Sequence, residues 1–309
     1  MNLYFAPLEG ITTYIYRNTH AKMFGGCNAY YSPFITPSDN EKIGRKGFRD
    51  ILPENNNVPL KIQVLTNNSQ SFLKFATKAK SYGYNEINLN LGCPSATVVG
   101  KNRGAGFLRS TDMLDKFLYE IFSASNVDIS IKTRIGYFSA DEFDSLIEIY
   151  NKYPLSLLII HPRCREDFYK GEPHIASFEK AYETSPHKLC YNGNVFSVSD
   201  FERISSRFPN IDSIMIGRGA VANPAIFREI TGGKGLTTAE LINFTQILRE
   251  SYGSVLDSDT FTLHKLKEIW IYMMQNFPDE KKILKTVKRT NKLSEFMHAI
   301  YSLPEIKTP

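Results

Sequence analysis

The chain has 309 residues, 42% of them hydrophobic and 22% charged, with a formal net charge of +5. That balance excludes a disordered chain and suits a soluble globular protein, large enough for a barrel of about 250 residues with a small appendage. No run of about 18 apolar residues occurs, which excludes a transmembrane helix, and the mildly basic charge permits a nucleic-acid partner without requiring one.

Residues 1–10 lack a basic leader and a long apolar run, so they read as a first strand rather than a targeting segment. Eight β-rich runs follow in order, at 3–7, 29–33, 60–65, 86–90, 127–132, 155–161, 188–192 and 213–217. Several are continuous apolar stretches, such as Leu157-Leu158-Ile159-Ile160 and Ile214-Met215-Ile216, the pattern of strands buried on both faces. Amphipathic helical segments separate most of them, among them 69–81, 112–123, 140–153 and 199–208. Such alternation, repeated eight times, predicts an α/β fold, a parallel (β/α)8 TIM barrel, with an open doubly wound sheet as the alternative. At Thr231-Gly232-Gly233-Lys234-Gly235 the pattern breaks, and helical segments at 238–253, 262–275, 280–290 and 293–302 follow. The expected division is a catalytic barrel over 1–235 and a small all-α domain over 236–309.

The four cysteines are Cys27, Cys93, Cys164 and Cys190. Their spacing contains no C-x-x-C pair and no disulfide framework, so free thiols in a reducing cytoplasm are expected and no metal site is.

A (β/α)8 barrel forms its active site at the C-terminal ends of its strands, and polar residues gather there. Strand one runs into Pro7-Leu8-Glu9, strand three carries Gln63, and strand four ends at Asn90 before Leu91-Gly92-Cys93-Pro94. Strands five and six are expected to end at Lys132 and His161, strand seven at Asn192-Gly193-Asn194 and strand eight at Gly217-Arg218-Gly219. Any one of these is an ordinary loop hydrogen-bonder; their convergence makes a pocket. A lysine can stabilise negative charge on a reduced isoalloxazine, and amides such as Gln63 and Asn192 can pair with its edge. The glycines after strands seven and eight, with Arg218, can hold a phosphate. No dinucleotide G-x-G-x-x-G follows a strand, so the pocket suits a flavin mononucleotide, FMN.

Cys93 stands between Gly92 and Pro94 on this rim, followed by Gly100, Gly104 and Gly106. A thiol there serves as general acid or nucleophile. The glycines make either a mobile loop or simple turns. An acid must keep its proton, yet Lys132 and nearby arginines would lower a thiol pKa, so the acid role requires shielding. Cys190 reads as core, and Cys27 and Cys164 as loop residues.

Six ordered motifs now resemble the tRNA-dihydrouridine synthases: Ala6-Pro7-Leu8-Glu9-Gly10-Ile11-Thr12, Asn88-x-Asn90-x-Gly92-Cys93-Pro94, Lys132-Thr133-Arg134-x-Gly136, His161-Pro162-Arg163-Cys164-Arg165 with Tyr169-x-Gly171, Asn192-Gly193-Asn194, and Ile216-Gly217-Arg218-Gly219-Ala220. The resemblance runs from Leu3 to about Ile230 and more loosely beyond. It implies FMN reduced by NADPH, hydride delivery to C6 of a uracil, and protonation of C5 by Cys93. It further implies FMN contacts from Pro7, Leu8, Glu9, Gln63, Lys132, His161, Asn192, Gly193, Asn194, Gly217 and Arg218. Asn90 would hold the uracil, and Arg163 and Arg165 would lie near substrate or flavin phosphate. The family usually has Met at Leu8, Asp at Asn194, and Gly and Thr at Pro162 and Cys164; the change at Asn194 puts that contact in question.

The segment 281–292 carries Lys281, Lys282, Lys285, Lys288, Arg289 and Lys292 with no acidic residue. At about 100° per residue, Lys281, Lys285, Lys288 and Lys292 share a face opposite Ile283, Leu284 and Val287. On its own this is a solvated helix face. With tRNA as partner it becomes a stripe that tracks phosphates, with Lys285 and Lys288 at its centre and Lys265 and Lys267 adding to it. Such a grip suits an enzyme that takes a base out of its stack. The expected protein is a monomer without membrane or obligate protein partner. The rival readings are an FMN barrel oxidoreductase acting on a small molecule, a ribosomal RNA substrate, and an RNA-binding module without turnover.

Overall fold

The computed structural model describes residues 1–37 and 48–306. Eight parallel strands close into a barrel: β1 (Asn2–Phe5), β2 (Ala29–Tyr31), β3 (Leu60–Val64), β4 (Glu86–Leu91), β5 (Asp128–Gly136), β6 (Leu158–Cys164), β7 (Leu189–Tyr191) and β8 (Ser213–Ile216). β8 returns to β1, with Phe5 opposite Ile216, which excludes the open sheet.

Strand periodicity explains how apolar runs carry a polar interior. Successive side chains point to opposite faces. Ile87, Leu89, Ile129, Ile131, Leu158 and Ile160 belong to the large core shared with the surrounding helices. Their alternates Asn88, Asn90, Ser130, Lys132, Ile159 and His161 face inward. A smaller apolar cluster of Ala6, Tyr31, Leu157, Ile159, Cys190 and Met215 plugs the barrel interior, and the polar groups sit above it.

Two strands run at least three residues past their expected ends. β5 continues through Arg134 to Gly136, and β6 through Arg163 to Cys164. The register slips by one residue between the pairs Arg134–His161 and Gly136–Cys164. The extra residue falls where Pro162 lacks an N–H for the ladder, the situation in which sheets tolerate proline. Cys164 is therefore a buried strand residue rather than a loop residue.

The tail forms helices Thr238–Leu256, Asp259–Met273, Lys281–Arg289 and Leu293–Tyr301. It packs on the barrel through a common core: Phe244 contacts the rings of Tyr16 and Phe24, with centroids 5.4 and 5.3 Å apart. Lys265 Nζ donates to the Gly10 carbonyl at 3.0 Å, which ties the second tail helix to the loop after β1. No helix among the described residues is long and apolar enough to cross a membrane.

Candidate active site

A cavity of about 330 Å³ opens at the C-terminal end of the barrel, within the range of small-ligand sites. Pro7, Leu8, Glu9, Gln63, Asn90, Cys93, Lys132, His161, Asn192, Gly193, Gly217 and Arg218 all line it, as the strand-end reading expects.

On one wall the side-chain amides form a relay. Gln63 Nε2 donates to Asn88 Oδ1 and Asn90 Nδ2 to Gln63 Oε1, each at 2.7 Å. Asn90 Oδ1 accepts the backbone N–H groups of Gly92 at 3.0 Å and Cys93 at 2.9 Å. Both lone pairs of Asn90 are thus spent on the turn that presents Cys93, and one N–H remains for a ligand. On the opposite wall Asn192 Nδ2 donates to the Met215 carbonyl at 2.8 Å.

The segment after Cys93 is packed. Gly104 to Leu108 are buried, and Ala105 N donates to the Cys93 carbonyl at 3.0 Å. Gly104 has φ +55°, and a Cβ there would stand 2.9 Å from that same carbonyl oxygen. Here glycine permits both the left-handed backbone and the close approach.

Electrostatically the cavity is cationic. Lys132, Arg134 and Arg218 line it, and Glu9, exposed at the rim, is the one lining carboxylate among the described residues. The Lys132 ammonium makes no hydrogen bond or ion pair among the described residues; burial first, then Arg134, lowers its pKa to about 8. His161 is held well below its ordinary value by burial and then by Arg134, Lys132, Arg163 and Arg218, so it is neutral at neutral pH. Its Nε2 lies 3.2 Å from Arg163 Nη1. A guanidinium only donates, so Nε2 accepts and Nδ1 carries the proton. For Cys93 the balance runs the other way: burial raises the thiol pKa, and Glu9 adds to it, against the opposing pull of the Ser95 N–H, Arg134 and Lys132.

Five expected contacts lie elsewhere. Asn194 is not a lining residue; its Oδ1 accepts from Arg163 Nη1 at 3.3 Å and Arg218 Nη2 at 3.1 Å, so it orients the two guanidiniums. Arg163 is fully buried behind the wall and donates to the carbonyls of Lys170 and Gly171. Arg165 pairs with Glu166 at 2.7 Å and lies over the rings of Phe168 and Tyr137, away from the cavity lining. Lys285 and Lys288 lie on helix Lys281–Arg289, exposed and outside the cavity. That helix stops at Thr290, so Lys292 leaves the stripe and pairs with Glu295 at 3.1 Å. Lys267 caps the same break by donating to the Thr290 carbonyl at 2.9 Å, and Lys265 pairs with Glu268 at 2.7 Å besides Gly10.

The cavity also has walls to which the sequence reading gave no role. Arg134 lines it and is anchored through Nη1 on the Cys164 carbonyl at 2.7 Å. Tyr169 packs against Arg218 and Arg134, whose Cζ atoms lie 4.7 and 5.3 Å from its ring centroid. Phe34 and Ile11 add apolar surface, and Tyr272 reaches the cavity from helix Asp259–Met273. Arg134 was accessible to the period-two rule, two residues after Lys132; Tyr272 carries no local signal.

A family model described as dihydrouridine synthase matches residues 4–303. The chain is 26% identical over 254 residues to tRNA-dihydrouridine synthase B of Pseudomonas putida, covering 81% of this chain and 74% of that protein. It is 26% identical over 305 residues to the tRNA-dihydrouridine(16) synthase of Pseudomonas syringae pv. tomato, covering 94% and 95%. Among solved structures, a morphinone reductase variant in complex with tetrahydroNAD superposes with a TM-score of 0.53 at 10% identity, over 76% of this chain and 87% of that one. A variant of NCR from Zymomonas mobilis gives 0.50 at 12%, over 75% and 86%. These two likenesses show the fold alone. The family match, by contrast, runs from the first strand through the last helix and takes in every residue of the cavity, and on that ground the chain belongs to the dihydrouridine synthase family.

Proposed function

We propose that this protein reduces uridines in tRNA to dihydrouridine in the cytoplasm, with FMN at the barrel mouth, NADPH as the reductant and Cys93 as the proton donor. The observation that carries the reading is the pairing, in one cavity, of an ammonium at Lys132 that has no partner among the described residues with a thiol whose surroundings favour its protonated form. The named relatives support tRNA as the substrate.

The residues fit FMN. Lys132 lacks an anionic partner among the described residues and stands with Arg134 and Arg218 in a cavity of ligand size. A Cβ at Gly217 would come within 3.3 Å of Ala6 and 3.5 Å of Leu8, so glycine there keeps the wall open. Lys132, Arg218, Gln63, Asn192, Gly193 and Gly217 would hold the flavin, and Asn194 would set Arg218. A bound, reduced FMN supplies the hydride that C6 of the uracil accepts.

The chain's own residues do the rest. Cys93 Sγ holds a proton and gives it to C5, completing the addition across the C5–C6 double bond. Asn90 fixes the Cys93 turn through its carbonyl oxygen and offers its remaining N–H to a uracil carbonyl. Neutral His161 keeps a donor at Nδ1. Tyr169 and Tyr272 narrow the mouth and exclude water. The barrel, 1–235, carries this chemistry, while the helical region, 236–309, grips tRNA through Lys285 and Lys288. The test is mass mapping of dihydrouridine in RNA from a strain lacking this protein. Loss at defined tRNA positions, restored by the gene, is expected; an unchanged dihydrouridine map with the flavin present would assign the barrel to another substrate.

A further inference from the structure

Outside the cavity, the loop after β6 brings together three side chains of metal-ligating type. Cys164 closes the strand, Asp167 and His174 follow in the loop, and their ligand atoms all lie within 4.8 Å of one another. Asp167 Oδ2 accepts the Cys164 backbone N–H at 2.7 Å and lies 3.2 Å from His174 Nε2. The backbone fixes the far end too, since His174 N donates to the Pro162 carbonyl at 2.7 Å.

From this cluster we propose a structural site for a divalent transition metal, with zinc(II) the best match, bound by Cys164 Sγ, a carboxylate oxygen of Asp167 and Nε2 of His174. A thiolate, a carboxylate and an imidazole are the ligand set zinc prefers over harder cations. Tetrahedral zinc holds such atoms about 3.5 Å apart, so the triangle closes by modest rotation of Asp167 and His174. Both have room to rotate, with side chains 31% and 45% exposed, while Cys164 is anchored at 2%. The exposed imidazole edge leaves the fourth position to water. Binding breaks the thiol S–H bond, forms the sulfur–metal bond and passes the proton to water, with no change of oxidation state. One thiolate and one carboxylate then neutralise the dication; Glu142 and Asp141 add negative potential around Cys164, against the positive charge of Arg134.

The consequence is a clip. The ligands bracket the segment that carries Tyr169 to the cavity, a segment that passes through left-handed backbone at Phe168 and Gly171. Metal binding would close this segment into a ring and add to the hold that Arg163 already has on Lys170 and Gly171. The site goes beyond the proposed reaction and does not depend on it.

The test titrates the chelator-treated full-length protein with cobalt(II), read as difference spectra. One equivalent should produce a thiolate-to-cobalt charge-transfer band with the visible bands of a four-coordinate ion, and zinc(II) should abolish both. Cys164→Ser and His174→Ala should each weaken binding at least tenfold, whereas Cys93→Ala should bind as the parent does. His174 is exposed, so its variant answers the question should Cys164→Ser fail to fold. Zinc should also slow tryptic cleavage after Lys170 several-fold. Absence of the charge-transfer band, or a His174→Ala variant that binds cobalt(II) as tightly as the parent, would overturn the site; unchanged cleavage at Lys170 with zinc bound would overturn the clip.

Discussion

Cys93 can donate a proton only if it keeps one among cations. Its neighbours Lys132 and Arg134 pull toward the thiolate, while burial and Glu9 favour the thiol, and burial is the largest influence. Replacing Cys93 with Ala should leave FMN binding and NADPH-driven flavin reduction intact and cut dihydrouridine formation by about 10²-fold or more, the usual worth of a positioned general acid; full turnover in that variant would remove the assignment. Lys132 yields a pH prediction. Its pKa falls from an ordinary 10.5 to about 8 in the fold. Between these values the folded chain has lost a proton that the unfolded chain still binds, so the ligand-free fold gains stability as pH rises across that window. An anionic ligand that uses the charge behaves oppositely. FMN affinity should fall as pH passes about 8, and Lys132→Met should bind weakly with a flat profile, as read by fluorescence titration.

At the scale of elements, the strand ends were legible because a polar residue in an apolar strand marks the inward face. Gln63, Asn90, Lys132 and His161 each stand out that way, and all line the cavity. The ends of β5 and β6 were less legible, since Arg134, Pro162 and Arg163 look like loop residues until the barrel gives the arginines buried partners. The contact expected of Asn194 comes from the family resemblance; whether the side chain faces the ligand or the arginines depends on where Arg163 and Arg218 fold. Tyr272 could not be read at all, because its place depends on how the tail docks. The basic helix was legible except for its end, where the break at Thr290 removes Lys292. Its exposed lysines make the element-scale prediction: Lys285→Glu with Lys288→Glu should weaken tRNA binding about tenfold or more and flatten its salt dependence, with flavin content unchanged. Equal affinity across salt concentrations would detach the helix from RNA binding.

For the whole molecule, the chain builds one continuous hydrophobic core across the barrel and the helical tail. Phe244 seats against Tyr16 and Phe24, and Tyr252 Oη bonds Thr13 Oγ1 at 2.8 Å. Removing residues 236–309 would expose those rings together and open the Tyr272 side of the cavity. Such a truncation should aggregate or melt well below the full chain and lose FMN. A native-like melting temperature with flavin retained would show that the two regions fold independently. On the proposed function the tail would have two tasks, closing the flavin site through Tyr272 and presenting the basic helix to RNA.

The most direct measurement is turnover with purified components. Unmodified tRNA transcript, NADPH and the FMN-loaded protein should yield tRNA that gains two hydrogens per modified uridine by mass spectrometry, with oxidation of an equal amount of NADPH and no product from Cys93→Ala. A flavin-loaded protein that NADPH reduces, but that leaves every tRNA uridine unchanged, would contradict the account.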